Sequence, residues 1–179
     1  MSVLIGYISK QYTPRPAGFE PTYVTEIASV SDCISKRPEG WIEEWRHNDW
    51  WVYDKPEIAR EVATKLNARD WPVAAYLVHA VEFLPTGEER QLTIETNASP
   101  IPKNYYGRLG WDVASKSYSP DFECSPLSCN GMATEVAVNA ACLLNSLDEA
   151  IAFARRCARE QPEPGNYFVI EVWRELLAA

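Results

Sequence analysis

The chain has 179 residues, 46% of them apolar, and a formal net charge of −8. That length suits one domain or two small units packed together, and no run approaches the roughly 20 apolar residues of a membrane-spanning helix. Residues 1–90 carry 10 basic and 14 acidic side chains and residues 91–179 carry 7 and 11, so each half has a net charge of −4. Without a basic stripe to neutralise phosphates, non-specific nucleic-acid binding is not expected, whereas an acidic surface favours basic partners.

The first element is the apolar stretch Met1–Lys10, which has no basic flank and reads as a strand rather than a secretion signal. Next comes the segment 39–51, with four of the seven tryptophans (Trp41, Trp45, Trp50 and Trp51) beside Arg46 and His47. Trp and Arg each bury a large area while offering polar contacts, which makes this segment a candidate binding surface. The competing reading places Trp41 and Trp45, one helical turn apart, in the core.

Trp50–Tyr53 reads as a strand leading into a helix over 56–69. Asp54 is the expected cap, Pro56 lies in the first turn, and Ile58, Val62 and Leu66 form an apolar stripe. Glu61 and Lys65 are spaced to pair on its wet side. Val73–Leu84, which contains His79, reads as the following strand, and Gln91–Thr96 as another after a turn at 85–88. Residues 97–107 form a Pro-rich connection.

The segment 118–131 is dense in turn formers and small nucleophiles: Tyr118, Asp121, Glu123, Ser128 and Asn130 are its candidate binding residues. Cys129 is the candidate nucleophile, although the acidic surroundings and the distant histidines, His47 and His79, do not favour a thiolate. Cys124 and Cys129 offer two metal ligands, but neither a histidine nor a second cysteine pair lies near them in sequence, so no metal and no cofactor is expected. A strand over 141–144 leads into a helix over 147–160 with the capping box Ser146-Leu-Asp-Glu149, and a strand over 167–173 follows.

The fold class expected is α+β. A shift of 91 positions maps Asp54 to Asn145, Ala59 to Ala150 and Tyr76 to Tyr167, while Gly6-Tyr7 resembles Gly110-Trp111. Longer shifts match Lys10 to Lys116, Tyr12 to Tyr118 and Glu26 to Glu135. These matches predict a tandem duplication of a β-β-(β)-α-β unit, with two helices on a mostly antiparallel or mixed sheet about a pseudo-twofold axis. The repeats would span 1–96 and 108–179, joined by 97–107, and could pack as a single domain. On this reading, 39–51 and 118–131 belong to one half only.

No Walker A loop, Gly-x-Gly-x-x-Gly or Gly-x-Ser-x-Gly motif is present. The five cysteines, at 33, 124, 129, 142 and 157, are odd in number and irregularly spaced, as in a protein of the reducing cytoplasm. The function expected is that of a non-enzymatic binding or inhibitor-type protein whose tryptophan-rich surface engages a protein partner. The alternative is a small-molecule site or cysteine-dependent enzyme at the 118–131 loop.

Overall fold

Val, Ile and aromatic residues are concentrated in four long strands, and these form the centre of the molecule. The structure, a computed structural model, describes residues 1–119 and 121–176; Pro120, inside the 118–131 segment, lies outside them. In chain order the elements are β1 (Ser2–Ser9), β2 (Thr13–Pro14), β3 (Glu26–Ile27), α1 (Pro56–Lys65), β4 (Val73–Phe83), β5 (Glu89–Gln91), β6 (Tyr106–Lys116), α2 (Pro126–Cys129), α3 (Leu147–Glu160) and β7 (Asn166–Glu175). Short 3₁₀ turns occupy Trp41–Glu44, Lys103–Tyr105 and Met132–Thr134.

The fold is α+β. The main sheet has the order β1-β4-β7-β6, with β5 on β4, and its pairings are antiparallel. β4 and β7, the strands that follow α1 and α3, form its central pair, so residues of both halves share one sheet. Alternate side chains of each strand point to opposite faces. On one face Val73 and Ala75 pack with Ala59 and Val62 of α1, while Val113 and Val169 pack with Phe153 and Ala154 of α3. The other face, with Ala74, Tyr76, Ile170 and Val172, is covered by irregular chain contributing Ala28, Val30, Phe122 and Leu143.

α3 begins and ends at the expected residues. The Ser146 hydroxyl accepts from the Glu149 amide, and the Glu149 carboxylate accepts from the Ser146 amide at 2.9 Å. α1 departs from expectation in three ways. It stops at Lys65, its N-cap is Lys55, and the Asp54 carboxylate instead accepts from the Asn48 side chain at 2.8 Å. Glu61 and Lys65 pair with Arg46 and Glu44 of the tryptophan segment rather than with each other. The runs 50–53 and 141–144 form one isolated bridge each, through Tyr53 and Leu144, and the strand expected over 91–96 is β5, ending at Gln91.

The halves repeat one backbone device. Gly6 and Gly110 lie at bulges with φ of 147° and 149°. A Cβ there would come within 2.5 Å of the Tyr53 carbonyl oxygen and 2.7 Å of that of Leu144. The next residues, Tyr7 and Trp111, exchange two backbone hydrogen bonds with Tyr53 and Leu144, at 2.8 to 2.9 Å. Asn48 and Asn139 tie down the loops before those bridges. Their side-chain nitrogens donate to the carbonyls of Ile5 and Leu109, and their side-chain oxygens accept from the amides of Trp50 and Ala141.

The shift of 91 holds from Gly40 and Gly131, which open the two 3₁₀ turns, to the helix starts Pro56 and Leu147. Beyond the helices it fails, where α3 has 14 residues against 10 in α1 and the loops that follow also differ in length. Gly6 therefore faces Tyr76, whereas Gly110 faces Val172 rather than Tyr167. Aligning the two glycines also sets Lys10 against Ala114 and Tyr12 against Lys116. Glu26 pairs with Arg174, whereas Glu135 pairs with Arg156.

The segment 39–51 was expected in one half only; at a shift of 91, 130–142 also opens on a 3₁₀ turn after a left-handed glycine, although Val136 lacks the left-handed conformation of Trp45. Trp51 and Cys142 do share the left-handed conformation, at φ 59° and 60°. The larger difference lies earlier. The bridge Gln11–Lys36 encloses residues 12–35, whereas Ser115–Cys124 encloses only 116–123. The longer loop carries β2 and β3 and reaches across to the second half, where the amides of Thr25 and Ala28 donate to the carbonyls of Ala140 and Ala141 at 2.8 and 3.0 Å.

Gly6→Ala and Gly110→Ala should each destabilise the fold by on the order of 2–3 kcal/mol through backbone strain and the carbonyl clash. Gly87→Ala meets no such clash and should cost about 1 kcal/mol for its left-handed backbone alone. Urea unfolding of the three variants checks the contrast.

Candidate functional site

The arm 12–35 carries polar backbone over an apolar sheet face, so its peptide groups need partners there. Two buried charges supply them. The Lys10 ammonium, with no solvent exposure, donates to the carbonyls of Ser29, Val30 and Ser31 at 2.9, 2.7 and 2.8 Å. The Asp112 carboxylate, equally buried, accepts from the Val30 amide at 2.9 Å and the Ser29 hydroxyl at 3.1 Å. Its other oxygen accepts from the Ser125 hydroxyl at 2.6 Å and the Val113 amide at 2.9 Å. The arm is thus held by its carbonyls on one side and its donors on the other.

Burial acts against both charges. It pushes the Lys10 amine below its ordinary range, opposed by the nearby Asp32 carboxylate. It pushes the Asp112 carboxyl up, opposed by the bonds from Ser125, Val30 and Ser29.

Asp32 continues the network, lying 3.1 Å from the Lys10 ammonium and 3.2 Å from the Arg37 guanidinium. Arg37 in turn pairs with Asp121 and donates to the Trp51 carbonyl at 2.7 Å. Its guanidinium lies 4.0 Å from the centre of the Trp41 ring. This one arginine joins the tryptophan segment to the 118–131 segment, which were expected as separate sites.

The rings of the first segment divide between the two faces of the molecule. His47 stacks on Trp51 with centroids 4.4 Å apart, and Trp41 meets both rings edge-on at 5.6 and 5.7 Å. Trp45 leans on His47 at 5.9 Å and is 77% exposed. Two ion pairs to α1, Arg46–Glu61 at 2.9 Å and Lys65–Glu44 at 2.7 Å, fasten this loop. Trp50 faces away from the group. It stacks on Phe122 at 6.3 Å, with the Lys116 ammonium 5.0 Å above its ring.

The same frame in the second half holds Met132, Val136, Ala137, Val138 and Cys142, and a cavity of about 320 Å³ opens beside Val136, Ala137 and Phe153. A groove of about 300 Å³ runs past Trp41, lined by Asp32, Lys36, Arg37, Glu39, Ile42 and Glu43.

The residues of 118–131 do not converge on one point. Tyr118 is fully exposed, and Glu123 closes its own loop by accepting from the Ser117 hydroxyl and the amides of Tyr118 and Ser119. Asn130 donates to the Pro162 carbonyl at 3.3 Å, and Ser128 is buried against the Ser125 carbonyl at 3.4 Å. The Cys129 sulfur contacts the hydroxyls of Ser128 and Ser31 at 3.6 and 3.7 Å, and burial pushes its thiol up, the wrong direction for a free nucleophile. Sequence spacing offered Cys129 only Cys124 as a companion. The arm adds Cys33, and the three sulfurs lie within 4.8 Å of one another.

No protein-family model matches the chain, and comparison with curated proteins and with solved structures gave no match.

Removing either buried charge leaves the arm's peptide groups unpaired. Lys10→Met should cost about 3–5 kcal/mol, because Asp32 and three carbonyls lose their cation. Asp112→Ala should cost at least about 1–3 kcal/mol. Arg46→Ala, which breaks an exposed pair, should cost no more than about 1 kcal/mol. Urea denaturation at neutral pH measures all three.

Proposed function

We propose that the chain is a non-enzymatic binding protein, of the inhibitor or neutralising kind, that docks a basic protein partner on the surface formed by Trp41, Ile42 and Trp45. One observation carries this reading: Trp45 stands 77% exposed on a loop held in place by two ion pairs and a ring stack. A large aromatic side chain fixed in water gives up little conformational freedom on binding, as in the hot spots of protein interfaces.

Trp45 also holds a left-handed backbone, at φ 50°. This is an outlier for a bulky residue, and such strain is concentrated at ligand-contacting positions. Unlike that of Trp51, its conformation has no counterpart at the matching residue, Val136.

Chemistry also favours a basic partner. The exposed carboxylates of Glu39 and Glu43 border the patch, and the chain carries a net charge of −8. The open face of Trp45 suits a lysine or arginine side chain. Non-specific nucleic-acid binding does not fit this charge. The five free cysteines accord with residence in a reducing cytoplasm, and among the described residues no helix is long and apolar enough to cross a membrane.

Quantitative capture from native host lysate with the wild-type chain, Trp45→Ala and Tyr105→Ala tests the reading. Tyr105 is 67% exposed and outside the patch. A basic protein retained by wild type and Tyr105→Ala, released by salt, and reduced on the order of 30-fold by Trp45→Ala is the expected result. Both variants should melt within about 0.5 kcal/mol of wild type. Unchanged capture by Trp45→Ala, or its unfolding, contradicts the proposal.

A further inference from the structure

The sulfurs of Cys33, Cys124 and Cys129 converge from three separate pieces of chain. Cys33 follows the clamped arm residues 29–32, and its sulfur is 3.2 Å from that of Cys124. Cys124 is fixed by its carbonyl, which accepts from the Ser115 amide of β6 at 2.7 Å. Cys129 ends α2, and its amide donates to the Ser125 carbonyl at 2.8 Å. Ser125 is itself bonded to Asp112, so the charge that holds the arm also holds the helix carrying the third thiol.

We propose that these three cysteines form a binding site for one soft metal cation, Zn²⁺ or Cu⁺. Metal–thiolate bonds of about 2.3 Å place three bound sulfurs about 4 Å apart, and the observed spread, within 4.8 Å, needs only side-chain adjustment. Three thiolates select thiophilic ions over Mg²⁺ or Ca²⁺. Cys33 is exposed and the other two sulfurs are half-buried, so an ion has a way in from solvent. Among the described residues no fourth histidine, cysteine or carboxylate joins the cluster. That leaves Cu⁺ trigonal, or Zn²⁺ with its fourth position open to water or an outside ligand. On binding, each thiol gives its proton to solvent and its sulfur lone pair to the ion, so a Zn²⁺ complex with all three carries one net negative charge.

The site shares no residue with the tryptophan surface, and it differs from the expectation drawn from Cys124 and Cys129 alone. Their third partner lies 91 positions from Cys124 along the chain.

The test uses the full reduced chain. Cd²⁺, a spectroscopic stand-in for Zn²⁺, should give a thiolate-to-metal charge-transfer band that saturates at one equivalent with release of three protons. Cu⁺, and Zn²⁺ in excess, should each displace it in separate titrations. Cys33→Ser alters only an exposed side chain, so circular dichroism should be unchanged while affinity falls by at least about tenfold. Absence of a saturating band, or a Cys33→Ser variant that binds as well through the remaining thiols, overturns the proposal. So does a Cys33–Cys124 disulfide that persists in chain purified and assayed under cytoplasmic reducing conditions, because a redox pair would then occupy the place of the metal site.

Discussion

The Lys10 ammonium and the Asp112 carboxylate hold the backbone of residues 29–31 between them, and the two surfaces proposed for function depend on that clamp. A buried ion without partners costs several kcal/mol, and the arm supplies hydrogen bonds to both charges, with Ser125 and Val113 completing the shell of Asp112. The dependence runs both ways. The arm crosses an apolar sheet face where its carbonyls and amides would otherwise be orphaned.

From the clamp the structure extends in two directions. Asp32, the next residue, orients Arg37, and Arg37 sets the ring of Trp41 against the loop containing Asp121. Cys33, one residue further, meets Cys124 and Cys129. The proposed docking surface and the thiol cluster thus rest on adjacent residues of the same loop while facing different chemistry. The sheet beneath draws its strands from both halves of the chain, and the arm belongs to the first alone.

The local elements were legible in the sequence where the deciding interactions are local. The capping box at Ser146 and Glu149 placed α3 to the residue because its donors and acceptors lie three positions apart. The end of α1 was not legible, since Glu61 and Lys65 have partners in a loop about 20 residues upstream. Surface or core for the tryptophans could not be told from spacing, and the answer is both: Trp45 faces water while Trp50 packs on Phe122. The arm was missed because 12–35 has no helical or strand periodicity and its partners are distant in sequence. A signal did exist. Lys10 and Asp112 are lone charges within or beside apolar runs, and such charges need partners from elsewhere in the chain.

Native-state hydrogen exchange at the Val30 amide, which donates to Asp112 beneath the arm, tests the clamp most directly. If the arm is an integral part of the folded unit, this amide exchanges only through global unfolding, with a protection free energy equal to that of the central strands β4 and β7. Exchange by local opening, several kcal/mol easier than in those strands, would show that the arm is a loosely docked flap. Cys33 and Arg37 would then not be held where both sites require them.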